Sequence, residues 1–187
     1  ISACLVGSEM CIRDSLNSQP TDSVLRPMMH RSDNFFAEQL LLMVSNAVLG
    51  VMDEQRLIDT LLRSALSGFP QPPVWVDGSG LSRYNLFSPE DFTWLLLKMK
   101  QEFGMQRLQQ LFPTGNEGTL RNYYKDLSGA VFAKTGTLSG QVALSGFLNT
   151  RRNRLLVFSV LVNNHHSSTT DVRRGVERFL TTLYNKY

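Results

Sequence analysis

Cysteine is scarce in this chain of 187 residues. The two present, Cys4 and Cys11, both fall in the first fifteen positions, so neither disulfides nor cysteine-held metals organise the rest. Long apolar runs are missing too, and none reaches the roughly 20 residues that a bilayer-crossing helix requires. Charge is sparse at 19% of residues, with a net +3. The basic side chains are scattered except for Arg151, Arg152 and Arg154, which fall where a hairpin turn is expected. That cluster reads as a solvated turn, and no nucleic-acid partner is expected. His165 and His166 lack partners at metal-ligand spacing, so no metal site is expected. No G-x-S-x-G elbow occurs to support a Ser-His-Asp hydrolase. One further absence matters most. No serine is followed by lysine three places on, and the nearest miss is Ser23, followed by Arg26.

What is present describes an ordinary globular domain, 42% hydrophobic and long enough to bury a core. Residues 1–15 stand apart. They show no helical or strand period and no signal-peptide layout, and they read as non-native adaptor read-through. They are set aside, leaving 16–187 as the folding unit.

Asn34 to Leu49 has a helical pattern, with Phe36, Leu40, Met43 and Ala47 on one face and Gly50 as the stop. Asp53 is placed to cap a second helix that ends at Gly68. Pro70, Pro72 and Pro73 make the next stretch a connector. Val74-Trp75-Val76 suits a short extended piece, turned by Asp77-Gly78-Ser79-Gly80. Ser88-Pro89-Glu90-Asp91 starts a helix expected to run to Phe103, with Gly104 closing it, and a shorter helix covers Met105 to Leu111. The pattern then changes. Ala130 to Thr135, Gln141 to Asn149 and Leu155 to Asn163 read as three strands, the third apolar enough for a sheet covered on both faces. Thr169 or Thr170 caps a last helix. Helices, then an antiparallel meander, then a closing helix make an α+β fold.

Two short motifs carry chemistry. Ser32-Asp33-Asn34 opens a helix, and Lys134-Thr135-Gly136-Thr137 ends a strand. Acyl transfer by a serine needs a nucleophile, a proton acceptor, a proton donor for the leaving amine and donors for the oxyanion. If Ser32 and Lys134 are neighbours, that hydroxyl can relay a proton to the leaving nitrogen, and the ammonium favours anionic intermediates and a substrate carboxylate. Thr135 and Thr137 can offer hydroxyls to that carboxylate. Gly136 leaves the strand edge bare for a substrate backbone to pair with, and the Thr137 N–H is placed for the oxyanion. Asn34 can bond the substrate amide and a neighbouring lysine. Asp77 and Ser79 are expected to stabilise a turn. His30, beside the first motif, reads as a structural or solvent-facing histidine.

S-D-N and K-T-G are two of the three signatures of the penicillin-recognising serine enzymes, and S-x-x-K, which bears the nucleophile, is the third. Their surroundings are more specific. His30-Arg31-Ser32-Asp33-Asn34-Phe35-Phe36-Ala37-Glu38, Asp77-Gly78-Ser79-Gly80-Leu81-Ser82-Arg83-Tyr84-Asn85 and Ala133-Lys134-Thr135-Gly136-Thr137-Leu138 resemble the D-alanyl-D-alanine carboxypeptidase/endopeptidase family, penicillin-binding protein 4 type. The resemblance covers roughly Leu25 to Leu183. It implies part of the serine β-lactamase/transpeptidase fold and cleavage of peptidoglycan stem peptides in the periplasm or cell envelope. It also implies covalent inhibition by β-lactams, with no cofactor and no transmembrane segment. Carried over, Ser32, Asn34 and Lys134 are catalytic-site residues, and Thr135, Gly136 and Thr137 bind substrate. In the family S-x-x-K lies well upstream, so the chain is expected to be a C-terminal fragment that exposes apolar surface and an open strand edge. A serine β-lactamase is the nearest rival, disfavoured because Ser67 to Pro73 holds no acidic residue to activate a deacylating water. A non-catalytic peptidoglycan-binding module is the other.

Overall fold

The structure, a computed structural model, describes residues 19–187. The stretch 1–15 and its two cysteines lie outside the described residues. Helices α1 (Thr21–Arg31), α2 (Asn34–Leu49), α3 (Glu54–Arg63), α4 (Pro89–Phe103) and α5 (Met105–Leu111) come first. Strands β1 (Val131–Leu138), β2 (Gln141–Asn149) and β3 (Leu155–Asn163) follow, and α6 (Thr169–Lys186) closes the chain. The strands form one antiparallel sheet in the order β1-β2-β3. This is the expected α+β layout.

Strand alternation sends successive side chains to opposite faces of this sheet. Val131, Ala133, Leu144, Leu148 and Phe158 pack with Val176 and Leu180 of α6. Phe132 and Phe147 face the other way, onto Leu96 of α4 and Leu108 and Leu111 of α5. A separate cluster of Leu41, Leu57 and Ile58 joins α2 to α3. The apolar β3 is less covered than its composition suggested. Only Phe158 is buried and its apolar neighbours are half-buried, because β3 is the sheet's other edge. Large apolar side chains stand exposed on and just after α2, among them Phe35, Met43, Val48 and Met52.

Several local expectations need correction. The chain before Asn34 is helical, and Pro27 sits inside α1 without ending it. Leu25 and Met29 of α1 pack against the α4–α5 cluster, and Arg107 of α5 binds Asp22 through both carboxylate oxygens. Such tertiary contacts offset the backbone bond that a proline removes. The inner face of α2 is Leu41 and Ser45, while Met43 and Ala47 are exposed. A serine is buried there because its hydroxyl donates to the carbonyls of Val51 and Asp53 and accepts from the Asp53 N–H. Helix α3 stops at Arg63 rather than Gly68; the Ser64 and Ser67 hydroxyls bond back to carbonyls and favour turns over helix. The cap of α6 is Ser168, whose Oγ accepts from Asp171 N–H. Strand β1 continues three residues beyond Thr135, because its ladder to β2 persists to Leu138↔Gln141.

The β1–β2 ladder is tight at one point. A Cβ placed on Gly146 would lie 2.1 Å from the Phe132 carbonyl oxygen and 2.6 Å from Ala133 Cα, so glycine alone lets these strands approach so closely. Gly146→Ala is therefore expected to cost about 3 kcal/mol of stability through strand displacement. Urea denaturation checks this, and an unchanged midpoint contradicts it.

Candidate active site

The tripeptide Ser32-Asp33-Asn34 is the joint between two helices. Ser32 closes α1 in the left-handed region, at φ 55° and ψ 52°, a conformation uncommon outside glycine and asparagine. Asp33 caps α2, its carboxylate accepting from Phe36 N–H at 3.0 Å. Asn34 is the first residue of α2. It is exposed and lines the cleft, with no side-chain hydrogen bond among the described residues. The bond foreseen between Asn34 and a lysine is not made to Lys134, whose ammonium is engaged elsewhere.

Lys134 Nζ donates to Ser32 Oγ at 2.7 Å and to the Thr135 carbonyl at 2.6 Å. The two sequence motifs thus meet across a cleft of about 1130 Å³, lined also by Thr135, Gly136 and Thr137. Burial of the ammonium lowers the Lys134 pKa from 10.5 to about 8. The group is still charged near neutral pH, yet readier than a surface lysine to give up a proton.

The edge of β1 changes along its length. Its first half is covered: Ala133 N–H donates to Pro113 O at 3.1 Å, and Thr114 Oγ1 donates to Val131 O at 2.7 Å. From Lys134 onward no such cover exists among the described residues, and Gly136 and Thr137 are exposed. Backbone groups alternate in direction along a strand. The N–H groups of Thr135 and Thr137 therefore point the same way as that of Ala133, outward, where a peptide can add as a strand.

A polar loop closes the opposite wall. Asp77 accepts from Gly80 N–H (2.6 Å), Ser82 N–H (2.6 Å) and Asn85 Nδ2 (2.9 Å), and so holds the turn. Glu38 of α2 accepts from the N–H groups of Gly78 and Ser79 at 3.1 and 3.0 Å, clamping the loop to the helix that starts at the first motif. Arg83 then reaches over to the Ser139 carbonyl at 3.1 Å. Asp91 ties down the proline-rich connector: it accepts from Gln71 N–H and Ser88 N–H while 1% exposed. A carboxylate so occupied is a brace, not a base held ready for water. Sequence reading had noted Glu38 only inside a motif and Asp91 only as a capping acid; contacts between residues tens of positions apart leave no local signal.

Other candidates lie elsewhere. Ser23 is exposed in the first turn of α1, outside the cleft lining. His30 is half-buried, with Nε2 unpartnered and burial lowering its pKa, and it does not line the cleft. His165 Nδ1 meets the Ser167 carbonyl in a loop, and no cluster suited to a metal occurs among the described residues. Arg151, Arg152 and Arg154 are exposed at the β2–β3 turn.

The sequence profile of the D-Ala-D-Ala carboxypeptidase 3 (S13) family matches residues 14–183. The chain belongs to that family. It is 29% identical to the D-alanyl-D-alanine carboxypeptidase DacB of Haemophilus influenzae over 90% of its own length. It spans 38% of that relative's length. The crystal structure of penicillin binding protein 4 (dacB) from Haemophilus influenzae, complexed with a novel β-lactam, superposes with a TM-score of 0.76 at 25% identity, over 87% of this chain and 41% of the other. An extended-spectrum β-lactamase also matches, at TM-score 0.65 and 14% identity over 87% of this chain and 62% of that one. That likeness concerns the fold alone and confirms the β-lactamase-type architecture. Among the described residues no single helix is long and apolar enough to cross a membrane.

Two predictions follow from this geometry. Below pH 8 Lys134 is protonated both folded and unfolded, so the burial cost is borne in full. Between pH 8 and 10.5 the folded chain binds fewer protons than the unfolded one, and stability rises with pH. Wild type should therefore gain urea resistance relative to Lys134→Met across that window, and a constant difference contradicts the burial. Glu38→Ala should speed amide exchange at Gly78 and Ser79 by about tenfold or more, as hydrogen-exchange NMR would show.

Proposed function

We propose that this chain supplies the proton-relay and substrate-binding half of a serine-type D-alanyl-D-alanine carboxypeptidase/endopeptidase. Residues 16–187 are the C-terminal portion of its transpeptidase-like domain, and the S-x-x-K nucleophile comes from chain beyond these residues. The single observation that carries the reading is the Ser32–Lys134 hydrogen bond inside a cleft with an open strand edge.

In this reading a stem peptide of peptidoglycan, in the periplasm or cell envelope, pairs with the edge at Thr135 and Thr137. An acyl-enzyme forms on the supplied serine. Lys134 and Ser32 pass a proton to the departing amine nitrogen, Asn34 holds the substrate amide, and the Thr137 N–H donates to the oxyanion. Each step uses protein groups alone, so no cofactor is called for. A β-lactam enters the same cleft as a covalent inhibitor of the intact enzyme. Burial serves the chemistry directly, since a proton donor works best with a pKa near the working pH.

Fluorescent penicillin tests this. The 187-residue chain alone should show no label, and the same chain extended by its upstream coding sequence should label on a serine. In the extended protein Lys134→Ala should slow acylation by about 100-fold or more. Stoichiometric serine labelling of the short chain, or an extended protein with no S-x-x-K and no label, would overturn the proposal.

A further inference from the structure

Three arginines on the turn between β2 and β3 stand without counter-charges among the described residues. Arg151, Arg152 and Arg154 are all exposed, and none takes part in an ion pair there. No aspartate or glutamate occurs in the sequence between Asp126 and Asp171, so the sheet itself carries no acid. Helix α6 has none after Glu177, which is engaged by Arg174 and the Tyr124 N–H. The helix end that meets the turn adds a further exposed cation, Lys186.

The turn is firmly built. Thr150, 4% exposed, donates its N–H to the Arg154 carbonyl at 2.8 Å, and its Oγ1 accepts from the Arg154 N–H at 3.1 Å. Asn153 takes the left-handed position at φ 58° and donates to the Thr150 carbonyl at 2.9 Å. The Arg151 N–H donates to the Tyr184 carbonyl in the last turn of α6 at 3.1 Å. These bonds fix the backbone from which the guanidinium groups project. The turn uses its threonine and asparagine; it has no need of the arginine side chains. Three like charges within four positions repel one another, and an anionic partner relieves that repulsion. Guanidinium forks suit carboxylates, which they bind through paired N–H donors.

The turn lies at the other end of the sheet from the cleft. Strand β2 begins at Gln141, which lines the cleft, and ends at Asn149, so about 27 Å of strand separates the two at about 3.4 Å per residue. That is too far for one short peptide seated in the cleft and within reach of its neighbours on a polymer. We propose that the 151–154 turn is a second contact for the peptidoglycan network, binding free stem-peptide carboxylates outside the cleft and holding the protein on the polymer. The choice of polymer rests on the acyl-transfer reading of the cleft, whereas the fit of the turn to an anion does not. A weak contact of this kind acts by raising the local concentration of the next stem peptide.

Co-sedimentation of the 187-residue chain with purified peptidoglycan, stripped of lipid and of phosphate-bearing polymers, tests this. Wild type should pellet at low ionic strength and be released as salt rises. Blocking the polymer's carboxylates as amides should release it as well. The triple variant Arg151→Gln, Arg152→Gln, Arg154→Gln should bind about tenfold more weakly, the scale of three exposed charge contacts. Arg56→Gln, Arg63→Gln, Arg121→Gln removes three exposed arginines elsewhere and should leave binding intact. Amide NMR spectra verify that each variant is folded. Undiminished pelleting of the folded turn variant, or equal losses in both triple variants, overturns the proposal. So does a wild type that prefers phosphatidylglycerol vesicles or binds neither material. A soluble D-alanyl-D-alanine peptide, followed by amide shifts, reports the cleft alone and should shift wild type and turn variant alike. No shift in either, with turn-dependent pelleting retained, would overturn the cleft reading and leave the turn.

Discussion

The site depends on one hydrogen bond between a hydroxyl at a helix–helix joint and an ammonium on a strand. Ser32 is delivered by a backbone turn in the left-handed region, and Lys134 by a strand that Gly146 lets approach its neighbour closely one residue away, at Ala133. Neither element alone has a use for the contact. Because Lys134 is half-buried, its two acceptors, Ser32 Oγ and the Thr135 carbonyl, replace the water its ammonium has lost. The same burial that makes the lysine costly to the fold lowers its pKa toward the range where it can exchange protons. Stability and chemistry pull in opposite directions here, as is common at sites holding a desolvated charge.

Around that bond the structure is organised to keep a groove open. Short polar clamps span long stretches of sequence: Glu38 to the 78–79 backbone, Asp91 to Gln71, Arg83 to Ser139. Each satisfies backbone groups that a loop would otherwise leave to water, and Glu38 and Asp91 are anchored on α2 and α4, which pack into apolar clusters. On the sheet side, Pro113 and Thr114 cover the edge of β1 as far as Ala133 and then leave it. The exposed edge is therefore short and begins at Lys134, where the second motif begins. A long bare edge invites chain-to-chain pairing, and this one is limited to Lys134 through Leu138.

Two cations line the groove in different surroundings. Lys134 is enclosed and hydrogen-bonded to a hydroxyl, which suits a group that exchanges protons. Arg173 is at the wall, resting near an aromatic ring and touching a threonine, and a guanidinium does not deprotonate.

Much of this was legible in the residues themselves. The serine-proline-acid start of α4, the period of β2, the glycine after α2 and the two motifs are local signals, since caps, alternation and turn chemistry act within a few residues. Those signals pointed to the α+β order and singled out Ser32, Asn34 and Lys134 through Thr137 as candidates, and the structure places all of them along one cleft. Helix α1 was missed because Pro27 speaks against helix locally, while the packing that overrides it comes from α5, some eighty positions away. The buried face of α2 was misread because Ser45, a polar residue, is inside to bond the next turn. Arg173 and Glu38 had no signature at all. Their contacts arise from which strand or loop lies opposite them, and only the tertiary fold, by bringing distant backbone and side-chain groups within hydrogen-bond reach, decided that.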